Sequence, residues 1–328
     1  MLDITPCLCY YFVTIWMEMI TTKKKLCAVL AILFVAASFV SYNSKASEPE
    51  PPVIPVIGTT AQASVTPDPD PYLASLPETD CGLLAAQVYT DCGVKLYWSE
   101  NGCSFKSTVF HGVPSDDAQC LKAMRIIAGF LEQLPDGMLD EMLENVADEF
   151  NVYICRNIRT TPDTGCTYSG FSDNIDGELF IAVNTDDMGF MLAGFTHELW
   201  HAIEHRINRI EEAAGRDFNA AWIERQPEEV RAAYWDTGSQ RIDSAWMSDS
   251  RFCAGTESDP ENVWFSRDYS RSDPAEDRAT VFENMTDEFS ILPKYPRLME
   301  KAELLCRAIR ACYPSCKDTA SLPWEVYK

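Results

Sequence analysis

Five consecutive residues, His197-Glu198-Leu199-Trp200-His201, constrain this chain more than any other stretch. They lie in an apolar-periodic segment that predicts a helix over 188–206. Positions i and i+4 of a helix are one turn apart on one face, so both imidazoles can reach the same ion. That donor pair suits zinc, and the acid beside the first histidine can accept a proton from a zinc-bound water. The metal would lower that water's pKa from about 15.7 toward roughly 7. Two histidines leave such a site incomplete, because a catalytic zinc ion takes three protein ligands and keeps one position open.

His205, another turn along, lies too far down an unbroken helix to share the ion and reads as an outer-shell or solvent-facing residue. No glycine breaks the helix and no histidine stands at 207, so the HExxHxxGxxH spacing is absent. His111 sits far upstream in a predicted loop. The better candidate is downstream, where Ser272-Asp273-Pro274-Ala275-Glu276 reads as a helix start with Asp273 as cap and Pro274 in the first turn. Glu276 at the third position either completes a capping box or ligates zinc from a second helix facing the first. Asp277 points to another face, and Glu283 lies two turns on.

The HExxH motif followed by Tyr-x6-Glu, with Ala three residues later, resembles the zincin peptidases of gluzincin-like type. The anthrax-lethal-factor-like and Pro-Pro-endopeptidase group and related zinc-binding peptidases of exported bacterial proteins are the most similar. The matching residues are His197, Glu198, His201, Tyr269, Glu276 and Ala279. Gly93-Val94, the run at 134–139 and a strand before the active helix also fit, over roughly residues 80–290. The resemblance implies Glu276 as third ligand of one zinc ion, Glu198 as general base and Tyr269 as hydrogen-bond donor to the oxyanion. Thr280 stands where the family often has Glu, which leaves Glu283 as the acid that could orient a ligand. The implied activity is that of a zinc metalloendopeptidase acting on a peptide or protein. Its substrate is expected to add to an exposed sheet edge along 178–183. The alternative is a catalytically silent, disulfide-braced extracytoplasmic binding module on a zincin fold.

Around this motif the sequence reads as α+β: a small mixed sheet over the HExxH helix, with a helical C-terminal part. Helices are expected at 83–89, 116–134 and 138–149, from Pro274 onward and at 297–311; strands are expected at 94–98, 152–158 and 178–183. Asn184-Thr185-Asp186-Asp187 reads as the start signal of the active helix, and 207–262 as irregular apart from a helical piece near 227–234.

The N-terminus reads as an address. Lys23-Lys24-Lys25 precedes an apolar run over 26–40, and Ser44 and Ala46 fit a cleavage site after Ala46. Residues 1–46 are therefore expected to be a signal peptide, of ordinary length when counted from Met17 or Met19. A Pro-rich linker over 47–78 and a single domain over 79–328 follow. A secreted or extracytoplasmic protein without stable membrane insertion is the expectation. Export would place the ten cysteines beyond residue 46 in an oxidising compartment, where up to five disulfides are expected, Cys155 with Cys166 among them. A thiolate zinc site at Cys306, Cys312 and Cys316 is the less favoured alternative, since that spacing matches no common zinc knuckle. A formal charge of -23 argues against nucleic acid and anionic membrane surfaces as partners.

Overall fold

Strand β3 (Glu149–Thr160) is the spine of the molecule, and alternation along it divides the interior in two. In the computed structural model, which describes residues 70–161, 165–234 and 251–325, Phe150, Val152 and Ile154 face the helices. Tyr153, Cys155 and Ile158 face an aromatic cluster on the opposite side. The period of two repeats in β5 (Glu178–Asn184), where Leu179, Ile181 and Val183 join the helical side and Phe180 and Ala182 the aromatic side. Every residue of β5 is buried, as expected of an inner strand covered on both faces.

β1 (Val94–Tyr97) and β5 run parallel to β3, while β2 (Phe110–Pro114) pairs antiparallel with its second half. β4 (Gly170–Ile175) pairs antiparallel with β5 alone and forms an edge of the sheet. This corrects the expected docking edge: 178–183 is interior, and β4, read from sequence as a loop, is the open strand. The two are joined by Asp176-Gly177, both at positive φ (55° and 81°), the two-residue turn whose twist suits a hairpin.

Helices α1 (Pro71–Ser75), α2 (Asp80–Cys92), α3 (Asp117–Leu131) and α4 (Met138–Leu143) precede the central strands. α4 is shorter than expected because Asn145 turns left-handed at φ 59°. α1 falls in the stretch expected to be linker. Its Tyr72 is buried, and the Tyr72 hydroxyl both donates to the Leu96 carbonyl (2.9 Å) and accepts from its N–H (2.8 Å), so the folded unit begins before residue 79. The expected signal peptide and residues 47–69 of the expected linker lie outside the described residues.

α5 (Met191–Ala213) follows β5 and carries the HExxH motif; Phe195, Leu199, Ile203 and Ile207 bury its inner face. It starts later and ends later than expected. Asn184 does not cap it, because its side-chain carbonyl accepts from the N–H groups of Asn157 (3.1 Å) and Asp186 (3.0 Å) at the end of the sheet. The stretch read as irregular contains α6 (Phe218–Glu224), capped by Asp217, and α7 (Glu228–Arg231) forms within the helical piece expected near 227–234. α8 (Pro274–Thr286), α9 (Pro296–Cys312) and α10 (Pro314–Lys317) complete an α+β architecture, with a small mixed sheet against helices. Among the described residues no helix is long and apolar enough to cross a membrane.

Candidate metal centre

α5 places His197 and His201 one turn apart, with ring centroids 5.2 Å from each other. α8 packs across it and contributes Glu276. The start of α8 forms as its sequence implies: Asp273 accepts from the Ala275 N–H (2.7 Å), and Pro274 occupies the first turn. The capping is done by Asp273, which leaves Glu276 free to face α5. Its Oε2 lies 2.9 Å from Nε2 of His197, and its Oε1 lies 3.7 Å from Nε2 of His201.

One donor atom from each of the three lies within 4.8 Å of the others. Tetrahedral zinc with bonds of about 2.0–2.2 Å needs donors about 3.3–3.6 Å apart. The observed spacings bracket that value, and the two-nitrogen, one-carboxylate set suits zinc, so the residues fit the ion. Cys306, Cys312 and Cys316 form no such group among the described residues; all three are packed in the core.

The surroundings of Glu276 are rigid for an identifiable reason. Its neighbours Asp277 and Arg278 are buried and paired with different elements around α8. Asp277 takes the Lys301 ammonium at 2.6 Å, the Trp222 indole N–H at 3.0 Å and the Tyr234 hydroxyl. Arg278 pairs with Glu204 of α5, which also accepts from Trp200 Nε1 (3.0 Å). These contacts bind α8 to α5, α6 and α9 and fix the register at which Glu276 meets the histidines. Burial holds the Lys301 ammonium below its ordinary pKa even with Asp277 beside it.

Glu283 reaches the other nitrogen of His197, its Oε2 lying 3.4 Å from Nδ1. Arg267 grips Glu283 through two bonds of 2.9 and 2.6 Å, and its guanidinium also lies over the Tyr269 ring. Thr280 is turned away, buried against Ser270 and the Asp277 carbonyl. Burial by itself would lower the pKa of His197, but the carboxylates of Glu276 and Glu283 outweigh it and lift the ring to about 9. Against the pull of its burial, hydrogen bonds and charge from His197 and His201 carry Glu276 well below the carboxylate range.

Glu198 is buried beside the histidines. Burial raises its pKa, opposed by the two imidazoles and by a 2.8 Å hydrogen bond donated by the Ser172 hydroxyl. Sequence reasoning missed Ser172 because β4 was missed, although Asp176-Gly177 is a hairpin signal that places a strand before it. Tyr269 stands at the rim with its ring centroid 5.9 Å from that of His197 and 45% of its surface exposed. Partial burial and the neighbouring Glu276 carboxylate push its hydroxyl pKa up.

A cleft of about 840 Å³ opens over these groups. One wall is β4 with Phe110 and Tyr168; the other includes Tyr269, Asp273, His205 and Asn208. His205 is exposed there and outside the three-residue cluster, whereas His111 lies in β2 with Nδ1 3.0 Å from the Thr161 hydroxyl.

The expected disulfides are not found among the described residues. Cys155 and Cys166 do not pair. Cys166 is exposed, while Cys155 points into the aromatic side of the sheet, its thiol against that of Cys103 and its pKa raised by burial.

No protein-family model matches this sequence, and no curated protein matches it. Among solved structures, the chain is similar to one described as a putative zinc-binding metallo-peptidase from Bacteroides caccae. That similarity has 12% identity and a TM-score of 0.39, over 76% of this chain and 88% of the other.

Proposed function

We propose that this chain is an exported zinc-dependent endopeptidase. The observation that carries the reading is the convergence of His197, His201 and Glu276 from two packed helices, with a buried acid beside them and an open strand edge along the same cleft. A zinc ion held by these three would supply Lewis acidity, polarising the scissile carbonyl and making water acidic enough to deprotonate near neutral pH.

The remaining work falls to the chain's own groups. An extended peptide adds to the edge of β4. Asn184 donates to the Ser169 carbonyl, and from there the antiparallel pattern alternates, so the backbone groups of Gly170, Ser172 and Asn174 point away from β5. Consistent with this, the Asn174 N–H is taken by the Asp173 side chain at 2.8 Å and not by β5.

Glu198 accepts the proton of the attacking water as its oxygen bonds to the carbonyl carbon. It then returns that proton to the amine nitrogen as the C–N bond breaks. Its raised pKa suits a group that must both take and give. The Tyr269 hydroxyl donates to the carbonyl oxygen as negative charge gathers there.

The test is zinc content and peptide-library hydrolysis of the purified full chain beside Glu198→Gln and Glu276→Ala. The reading expects about one zinc per chain in the parent and in Glu198→Gln, with hydrolysis in the parent only. Glu276→Ala should lose both. A zinc-loaded parent without hydrolysis would favour the silent binding module.

A further inference from the structure

Resting on that reading, we propose that Ser172 is a positioning residue whose hydroxyl sets the orientation of the Glu198 carboxylate, and that the Gly170-Phe171-Ser172 run of β4 is shaped as a seat for that acid. Three local features meet there. Gly194 and Glu198 lie one turn apart on the same face of α5. A Cβ at Gly194 would stand 3.1 Å from both Cβ and the carbonyl oxygen of Ser169, so the bare helix backbone lies directly on the entry to β4.

At Gly170 a Cβ would come within 3.2 Å of Glu198 Cγ and 2.9 Å of the Ala182 carbonyl oxygen, so the stem of the acid occupies the space a side chain would need. Two residues on, where the strand again presents the same face, the Ser172 hydroxyl reaches Oε2 of Glu198 at 2.8 Å.

The arrangement has a mechanical sense. The last torsion of a glutamate is broad and roughly two-fold, so an untethered carboxylate samples many orientations. Holding Oε2 leaves Oε1 as the oxygen that meets water. Ser172 also belongs to the open edge, and its backbone groups face outward. Its side chain therefore orients the base while its main chain receives the peptide, so both are referenced to one residue.

The experiment uses the zinc-loaded full chain with Ser172→Ala and Ser172→Thr, reading kcat, KM, zinc per chain and affinity for acetohydroxamate. Hydroxamates chelate the metal and offer an N–H or O–H to an adjacent carboxylate. Ser172→Ala is expected to lower kcat about tenfold with KM and zinc unchanged, and to weaken hydroxamate binding by a similar factor. Ser172→Thr keeps the hydroxyl and should restore both to within about twofold.

A parental kcat and hydroxamate affinity in Ser172→Ala would overturn the proposal. So would loss of zinc in step with kcat, or failure of Thr to restore, since each points to a structural role alone. If the zinc-loaded parent hydrolyses no peptide, the endopeptidase reading falls and the hydroxamate comparison still decides the seat.

Discussion

Oε2 of Glu283 stands 3.4 Å from Nδ1 of His197, while Glu276 holds the opposite nitrogen of the same ring. The contact is an ion-pair distance without hydrogen-bond alignment at Nδ1, and a carboxylate on that side favours the tautomer that leaves the other nitrogen's lone pair for a metal. Here that carboxylate is itself held, since Arg267 clamps both of its oxygens. Glu283→Ala is expected to weaken zinc affinity by about 10–100-fold while leaving the fold intact, as read by competition with a chromophoric chelator. Unchanged affinity would remove Glu283 from the site.

The pH dependence follows from the same ring. In the metal-free protein His197 is lifted from 6.5 to about 9. A raised folded-state pKa adds stability that is fully present below about 6.5 and is lost as the pH rises through about 9. Metal has the opposite requirement, because only the neutral imidazole binds it. At pH near 7.5, zinc uptake should therefore expel about one proton from His197. Titration calorimetry in buffers of different ionisation enthalpy counts that proton, and a count near zero would contradict the assignment.

Lys301 and Asp277 form a buried ion pair beside the third ligand, 2.6 Å apart with side chains 4% and 0% exposed. Breaking such a pair from one side leaves an uncompensated charge in the interior. Lys301→Met should cost about 3–5 kcal/mol in urea unfolding, and the double change with Asp277→Asn should cost less. If the single and double variants unfold alike, the pair does not anchor α8.

The open edge of β4 can be blocked without touching the metal ligands. Asn174→Pro removes an N–H that points away from β5 and rests on the Asp173 side chain, together with the side-chain bond to the Val146 carbonyl. The β5 pairing should therefore persist while an extended peptide that displaces Asp173 loses one main-chain bond. KM should rise several-fold, about tenfold at most, with an unchanged circular dichroism spectrum. A rise in unfolded fraction instead would show that the edge carries structure and not substrate.

His197, Glu198 and His201 were legible because four-residue spacing on a helix is a local rule, and Asp273-Pro274 likewise announced the helix that presents Glu276. The features that escaped depend on which segments become neighbours. β4 reads as a polar loop, since only its pairing with β5 and the Asp176-Gly177 turn make it a strand. Asn184 has the chemistry of a cap, but the end of β3 competes for its side chain and wins. Cys155 and Cys166 looked paired by closeness in sequence, yet strand alternation sends Cys155 to an interior face while Cys166 stays in an exposed loop.

The two-residue turn at Asp176-Gly177 has a reach beyond its own size. Strand side chains change face with every step, so adding or deleting one residue there would present Phe171 or Asp173 to Glu198 in place of Ser172. A ring or a second carboxylate would then meet the base where a hydroxyl now does. The hairpin acts as a ruler for the chemistry, and a length change at Asp176-Gly177 should be as damaging as a substitution in the cleft, although neither turn residue lines it.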